Sequence, residues 1–391
     1  MCPAYAGPSL QRSPAALLTL MFPPRSLALP REPGLAGESA RAVRQLQIEA
    51  AKARGFGKPR AAALMSALAQ VLPQSGGAVF AAIEDWPGDL ASDGVIFRLN
   101  SGLHALARAG REAGVLGALY RGGAMPSPFA LEAALAEALD VHAEELLGWL
   151  SHPTQTNEVA RVAGLVAALL ELGRMRALPC EVLELGASAG LNLNFPRYAV
   201  QLGAVSACAA ASTVKLAPQW RGGAAPAGAL AVTGAAGVDL HPLDPGLEAD
   251  RERLAAYLWP GEAARAARLA AAIGIAQAHP PQVEPGLASA WLLQRFAQPQ
   301  RRGVRRVVFH SMVLQYAGAP ERAAIDHAFA LAGARAEPDR PLARVSIEWR
   351  ADRAAVELRI AQWDGAGEHG ESRLAALCHP YCEWIDWRGL S

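Results

Sequence analysis

Residues Cys180–Leu193 read CEVLELGASAGLNL. Cys180–Leu185 is an apolar run of strand length, interrupted by Glu181 and Glu184 and ending on a glycine. Gly186 and Gly190 free the backbone to turn sharply and let a ligand approach without meeting a Cβ. The helical candidate Gly190–Phe195 then points its first N–H groups at whatever lies in the turn. Strand, glycine turn and helix in that order open a βαβ unit, and ligands of open α/β sheets lie outside the carboxyl ends of the strands.

Downstream, strand-like runs at Glu181–Leu185, Gly237–Leu240, Gln282–Glu284, Arg305–His310, Ala343–Glu348, Val356–Gln362 and Tyr381–Trp387 alternate with helical stretches. Those stretches are Leu247–Ala278, Ala288–Phe296 and Pro320–Ala332. Such alternation predicts a parallel sheet covered on both faces. Between the last two strands lie only the polar loop Asp364–Ser372 and a short apolar piece, which predicts an antiparallel pair at one end. Residues 197–235, with YAVQLG and TVKLAPQW, read as an inserted hairpin. Upstream, Ala40–Arg54, Pro59–Leu72, Gly102–Leu119, Ser127–Leu150 and Val159–Met175 carry apolar residues at helical spacing. Only Ala78–Ile83 and Val95–Leu99 read there as short strands. The expected fold class is α/β, a Rossmann-like doubly wound, mostly parallel seven-stranded sheet preceded by an α-helical N-terminal region. The expected division is an arm at 1–36, the helical region at 37–177 and the sheet domain at 178–391.

Composition narrows the partners. Lys plus Arg number 37 and Asp plus Glu 36 in 391 residues, so no electrostatic footprint for a nucleic-acid backbone follows. The five cysteines are odd in number and scattered, which argues against a secreted disulfide framework. CHPYC at Cys378–Cys382 lacks a second pair at zinc spacing, so no metal is expected. The arm, rich in Pro, Ser and Arg, reads as disordered, with Met21 an alternative start. Its apolar run Ala15–Phe22 is too short to span a bilayer. A cytoplasmic protein with a small-molecule substrate and no membrane partner is expected. Oligomeric state is not legible.

Glu184–Gly190 resembles the cofactor turn of class I methyltransferases, in which an acidic residue precedes glycines at alternate positions; Ser188 stands where the middle glycine would be. A seven-stranded order ending in an antiparallel strand is also that group's layout. Gly186-Ala-Ser188-Ala-Gly190 is equally G-x-S-x-G, the nucleophile elbow of α/β-hydrolases, with Asp239 or Asp326 and His310 or His379 as triad partners for Ser188. The mostly helical upstream chain, the lack of an HGGG-like loop and the charge of Glu184 favour the cofactor turn. A glycine turn with a purely structural role is the third reading.

CEVLELGASAGLNL, together with HPTQTNEVAR at His152–Arg161, GVDLHPLD at Gly237–Asp244, Leu258–Pro260, VVFHS at Val307–Ser311 and the end at Cys378–Trp387, resembles a bacterial family, domain of unknown function 2332. The likeness runs from about residue 40 to the end and carries a methyltransferase-like fold without a named activity. Where the family reads Gly-Asp-Ala this chain has Gly286-Leu287-Ala288, which removes a carboxylate that would meet an adenine amino group. Where it reads His-Pro-His-Gly, the chain has His379-Pro380-Tyr381-Cys382.

These readings place S-adenosylmethionine as the expected cofactor, held by Glu184, Gly186, Ser188, Gly190 and Asp239. Glu184 would meet the amino group and Asp239 the ribose hydroxyls. Glu284 ends the third core strand. His310, directly after an apolar strand, is the candidate general base for a small-molecule methyltransferase. Ser311 reads as a helix cap. Gln155, Asn157, Glu158 and Arg161 open the helix before the first strand and are candidates for a lid over cofactor or substrate, the alternative being a capped helix start. The alternatives to methyl transfer are a serine hydrolase using Ser188 and a non-catalytic binding or scaffold protein.

Overall fold

The computed structural model describes residues 40–390; the arm at 1–36 and Met21 lie outside them. In chain order the described strands are β1 (Cys180–Leu185), β2 (Ala199–Leu202), β3 (Val205–Cys208), β4 (Lys215–Leu216), β5 (Gln219–Gly222) and β6 (Val232–Asp239). They continue as β7 (Val283–Pro285), β8 (Arg305–Ser311), β9 (Leu342–Trp349), β10 (Val356–Trp363), β11 (Arg373–Cys378) and β12 (Trp384–Trp387). Strand β1 is the middle of five parallel strands ordered β7-β6-β1-β8-β9, and all of its residues except Glu181 are buried, as that place requires.

The sheet has nine strands and is mixed, which corrects the seven-stranded expectation: it continues past β9 through β10, β11 and β12 to β5. The pairings β9/β10, β10/β11 and β11/β12 are antiparallel, whereas β12/β5 is parallel. The physical reason lies in the connections. Residues 350–355 close β9 onto β10 through the Arg350 N–H to Ala355 carbonyl bond of 2.8 Å, far too few for a crossover helix. The apolar piece before Cys378 is itself strand β11, and the inserted segment sends β5 to the far edge, where Trp220 lies 5.6 Å from Trp387 between ring centroids. The rest of the insert forms a separate small sheet, β3-β2-β4, in which YAVQLG folds back on Val205–Cys208.

Before β1 come α1 (Arg41–Gly55), α2 (Pro59–Ser75), α3 (Gly77–Glu84), α4 (Val95–Arg108), α5 (Val115–Tyr120), α6 (Pro128–Val141), α7 (Ala143–Ser151) and α8 (Val162–Met175). Both short strands expected here are helical: Ala78–Ile83 lies in α3 and Val95–Leu99 begins α4. Val79 and Ile83, and likewise Val95, Leu99, Leu103 and Leu106, bury at three-to-four spacing, which a strand would send to opposite faces. Beyond β6 come α9 (Glu248–Ala256), α10 (Ala263–Ala278), α11 (Ala288–Ala297) and α12 (Ala319–Gly333). The expected single helix at 247–278 breaks at Pro260, which cannot continue it, and Gly261, at φ +76°. The expected helix after the glycine turn is a 3₁₀ helix, Leu191–Arg197, ended by Pro196 and Arg197.

Residues 41–390 form one compact unit with three hydrophobic clusters. Helix α8 covers one sheet face, where Gly164 lets it close on Ile347; an added Cβ there would lie 2.6 Å from the Ile347 side chain. Trp291, Phe296 and Phe329 cover the other face. The third cluster fills the helical layer around Leu46, Leu68 and Leu99, and takes in Trp259 from beyond β6. Each such side chain contributes roughly 1.5–3 kcal/mol by leaving water. Polar bonds tie this layer to α9 and the step after it: the Asn100 amide donates to the Leu258 carbonyl at 3.2 Å, and Arg108 pairs with Glu252 at 2.8 Å. Among the described residues no helix is long and apolar enough to cross a membrane.

Candidate functional site

The glycine turn is built as a closed polar knot. Gly186, Ser188 and Gly190 have φ of +65°, +54° and +68°. A Cβ on Gly186 would lie 2.5 Å from Val313, and one on Gly190 would lie 2.7 Å from Pro281. On its Cβ side each glycine is thus packed against a neighbouring side chain. Asp239 accepts from the Ser188 N–H at 2.8 Å, the His241 N–H at 2.9 Å and the Gln155 amide at 3.3 Å. Glu184 is 2% exposed and accepts from the Asn192 amide at 2.8 Å. Burial, with Asp239 adding to it, pushes its carboxyl up to about 8. Its Oε2, the Ser188 Oγ and the Asn192 Oδ1 are all buried without a hydrogen-bond partner.

The QTNEVAR segment lies on this knot. Besides Gln155, the Asn157 side chain accepts from the Leu191 N–H at 3.3 Å. Glu158 caps the short helix through the Ala160 N–H at 3.0 Å. It also binds Arg265 at 2.7 Å and Arg268 at 3.2 Å. Burial favours its neutral form, yet Arg265, Arg268 and Arg161 outweigh that and hold it down at about 2. Arg161 donates from Nε to the Pro380 carbonyl at 3.0 Å.

Tested against S-adenosylmethionine, the residues fit one end only. Three unpartnered oxygens suit an ammonium group. Both Asp239 oxygens are already engaged where ribose hydroxyls would need them, and Leu287 offers no acceptor to an adenine amino group. The whole cofactor does not fit this arrangement.

His310 is fully buried, and both ring nitrogens are committed. Nδ1 donates to the Glu348 carboxylate at 2.7 Å and Nε2 accepts from Arg344 at 3.0 Å. Burial lowers its pKa against the pull of Glu348. No nitrogen is left to take a substrate proton, so the expected general base is a structural residue. Glu284 pairs with Arg295, Asp326 with Arg344, and no histidine bonds to Ser188 among the described residues, so the hydrolase triad is not assembled.

A cavity of ≈ 140 Å³ opens instead between the helical layer and the carboxyl ends of β8 and β9. Phe56, Met65 and Phe97 approach from the layer; Met312 and Trp349 follow the strands; Trp259 and Tyr381 close the side. The wall is braced from behind: Trp259 donates to the Tyr381 hydroxyl at 3.1 Å, and the Arg265 guanidinium lies 3.9 Å from the centre of the Tyr381 ring. Glu158, which holds Arg265, thus acts on the cavity through two side chains. Arg161 is the one residue of the expected site that lines it. His379, 3% exposed, also lines it. A larger cleft of ≈ 520 Å³ lies near Arg335 and Arg340 at the amino ends of β8 and β9, the wrong end for ligands of open α/β sheets.

Sequence reasoning passed over most of this wall. CHPYC suggests a metal motif or a triad histidine and not a cavity wall; its cysteines are buried free thiols. Nothing local in the sequence marks Trp259 and Trp349 as pocket residues. No curated protein and no solved structure matches the chain. A family model described as "Uncharacterized protein conserved in bacteria (DUF2332)" matches residues 44–387, and the chain belongs to that family.

Proposed function

We propose that this protein binds a small molecule carrying a single ring in the cavity beneath the helical layer. The observation that carries this reading is the wall itself: aromatic side chains from both halves of the chain meet at the carboxyl ends of two parallel strands. An engineered apolar cavity of about 150 Å³ holds benzene, so ≈ 140 Å³ suits one ring. Ala91 lines the cavity and is half-buried. Single-ring compounds such as phenol should raise the Tm of the native protein and leave that of Ala91→Phe unmoved. Equal shifts in both would remove the cavity from consideration.

A second reading keeps S-adenosylmethionine and a small-molecule methyltransferase. It is favoured by the order β7-β6-β1-β8-β9, and by the unpartnered oxygens of Glu184, Ser188 and Asn192. It requires Gln155 to release Asp239, and no methyl-transfer step is derived while that bond is made. Calorimetric titration with S-adenosylmethionine and S-adenosylhomocysteine decides it: binding that is lost in Glu184→Gln supports the cofactor, and no heat at millimolar ligand ends the reading.

A further inference from the structure

The cavity wall is aromatic, but its polar groups are one-sided. Arg161 and Arg353 both line it, and neither has an ion-pair partner among the described residues. Arg161 spends its Nε on the Pro380 carbonyl, and Arg353 spends one N–H on the Ser92 hydroxyl at 2.8 Å. Lys52 and Lys58 also line it but are neutralised by Glu49 and by Glu262 and Glu383. Glu49 is the only carboxylate of the lining, and it is the one paired with Lys52.

His379 adds a directional donor. Its Nδ1 accepts from the Tyr381 N–H at 3.2 Å, so in the neutral ring the proton sits on Nε2. Burial pushes its pKa down to about 4, which keeps the ring neutral at pH 7. Nε2 is buried and has no hydrogen-bond partner; the nearest carboxylate, Glu383, stands 3.8 Å away. A buried N–H without an acceptor is costly, and an acceptor on a ligand would recover that cost.

We propose that the cavity selects an aromatic carboxylate of about the size of benzoate, with its ring among Trp259, Trp349 and Phe97 and its carboxylate received by Arg161, Arg353 and the His379 Nε2–H. A planar carboxylate matches the guanidinium fork, and both arginines have N–H groups not spent in a direct ion pair among the described residues. The proposal rests on the cavity being the ligand site and adds the sign of the ligand's charge.

Titrations of the full chain with benzoate, benzyl alcohol and benzylamine, followed by tryptophan fluorescence, separate the two. Benzoate should bind at least tenfold more tightly than benzyl alcohol, with benzylamine weakest. Arg353→Gln and Arg161→Gln should each lose about tenfold for benzoate while leaving benzyl alcohol unchanged. His379→Phe should weaken benzoate and strengthen neither other probe. Thermal unfolding of each variant checks that it is folded, and the half-buried Arg353 serves if Arg161→Gln is not. Equal binding of benzoate and benzyl alcohol, or preference for benzylamine, overturns the charge selection and leaves the cavity reading standing. Failure of all three probes at millimolar concentration overturns both.

Discussion

Glu184 and Glu158 are two buried carboxyls driven in opposite directions. Burial raises Glu184 to about 8, with nothing cationic bonded to it. Its share of stability is therefore complete below its unfolded pKa near 4.5 and is lost as pH climbs to about 8. At about 1.4 kcal/mol per pKa unit this amounts to a few kcal/mol. Glu184→Gln, a neutral side chain of the same shape, should flatten the fall in urea-unfolding stability between pH 5 and 8; profiles parallel to the native protein would show that Glu184 does not titrate there. Glu158 is held low at about 2, so its contribution stands above its unfolded pKa near 4.5 and fades only as pH falls towards 2. Glu158→Gln should cost up to about 3–5 kcal/mol at pH 7, because buried Arg265 would keep only Glu262 as its counterion and Arg268 would lose its own. A loss under 1 kcal/mol would mean that the ion pair is not formed.

At the level of elements, the turn after β1 shows how far residues 180–193 specify their own structure. An apolar run closed by glycines specifies a buried strand and a tight turn, and both are present. What fills the turn depends on Val313 and Pro281, more than ninety residues away in sequence, and no local pattern encodes that. Gly186→Ala should destabilise by about 2–4 kcal/mol, combining a left-handed backbone with a clash on Val313. Val313→Ala should return part of that loss, as a double-mutant cycle on unfolding free energies would show; simple additivity would deny the contact. Strands β5 and β11 escaped notice for a related reason. Gln219–Gly222 is a short, mostly exposed edge, and Arg373–Cys378 carries no alternation strong enough to separate strand from helix. Strand β8, buried nearly throughout, and β9, buried at about every other residue, are legible within a residue or two.

Across the whole molecule, the ligand site belongs to neither half of the chain alone. Its wall draws on α1, α2 and α4, on the step around Trp259 and on the segment His379–Tyr381, so only the folded arrangement brings it together. Of the residues singled out in the sequence, Arg161 and His379 reach it directly and Glu158 through Arg265; Gln155 and Asn157 serve the turn, and His310 serves the sheet. Polar residues near a strand's end are visible in a sequence, but whether they face a cavity or each other is decided by packing. Anomalous diffraction from a crystal soaked in 4-bromophenol tests the central claim most directly. The expected result is one bromine peak between Trp259 and Trp349 under the helical layer. A peak confined to the cleft near Arg335 and Arg340, with the cavity empty, would contradict it.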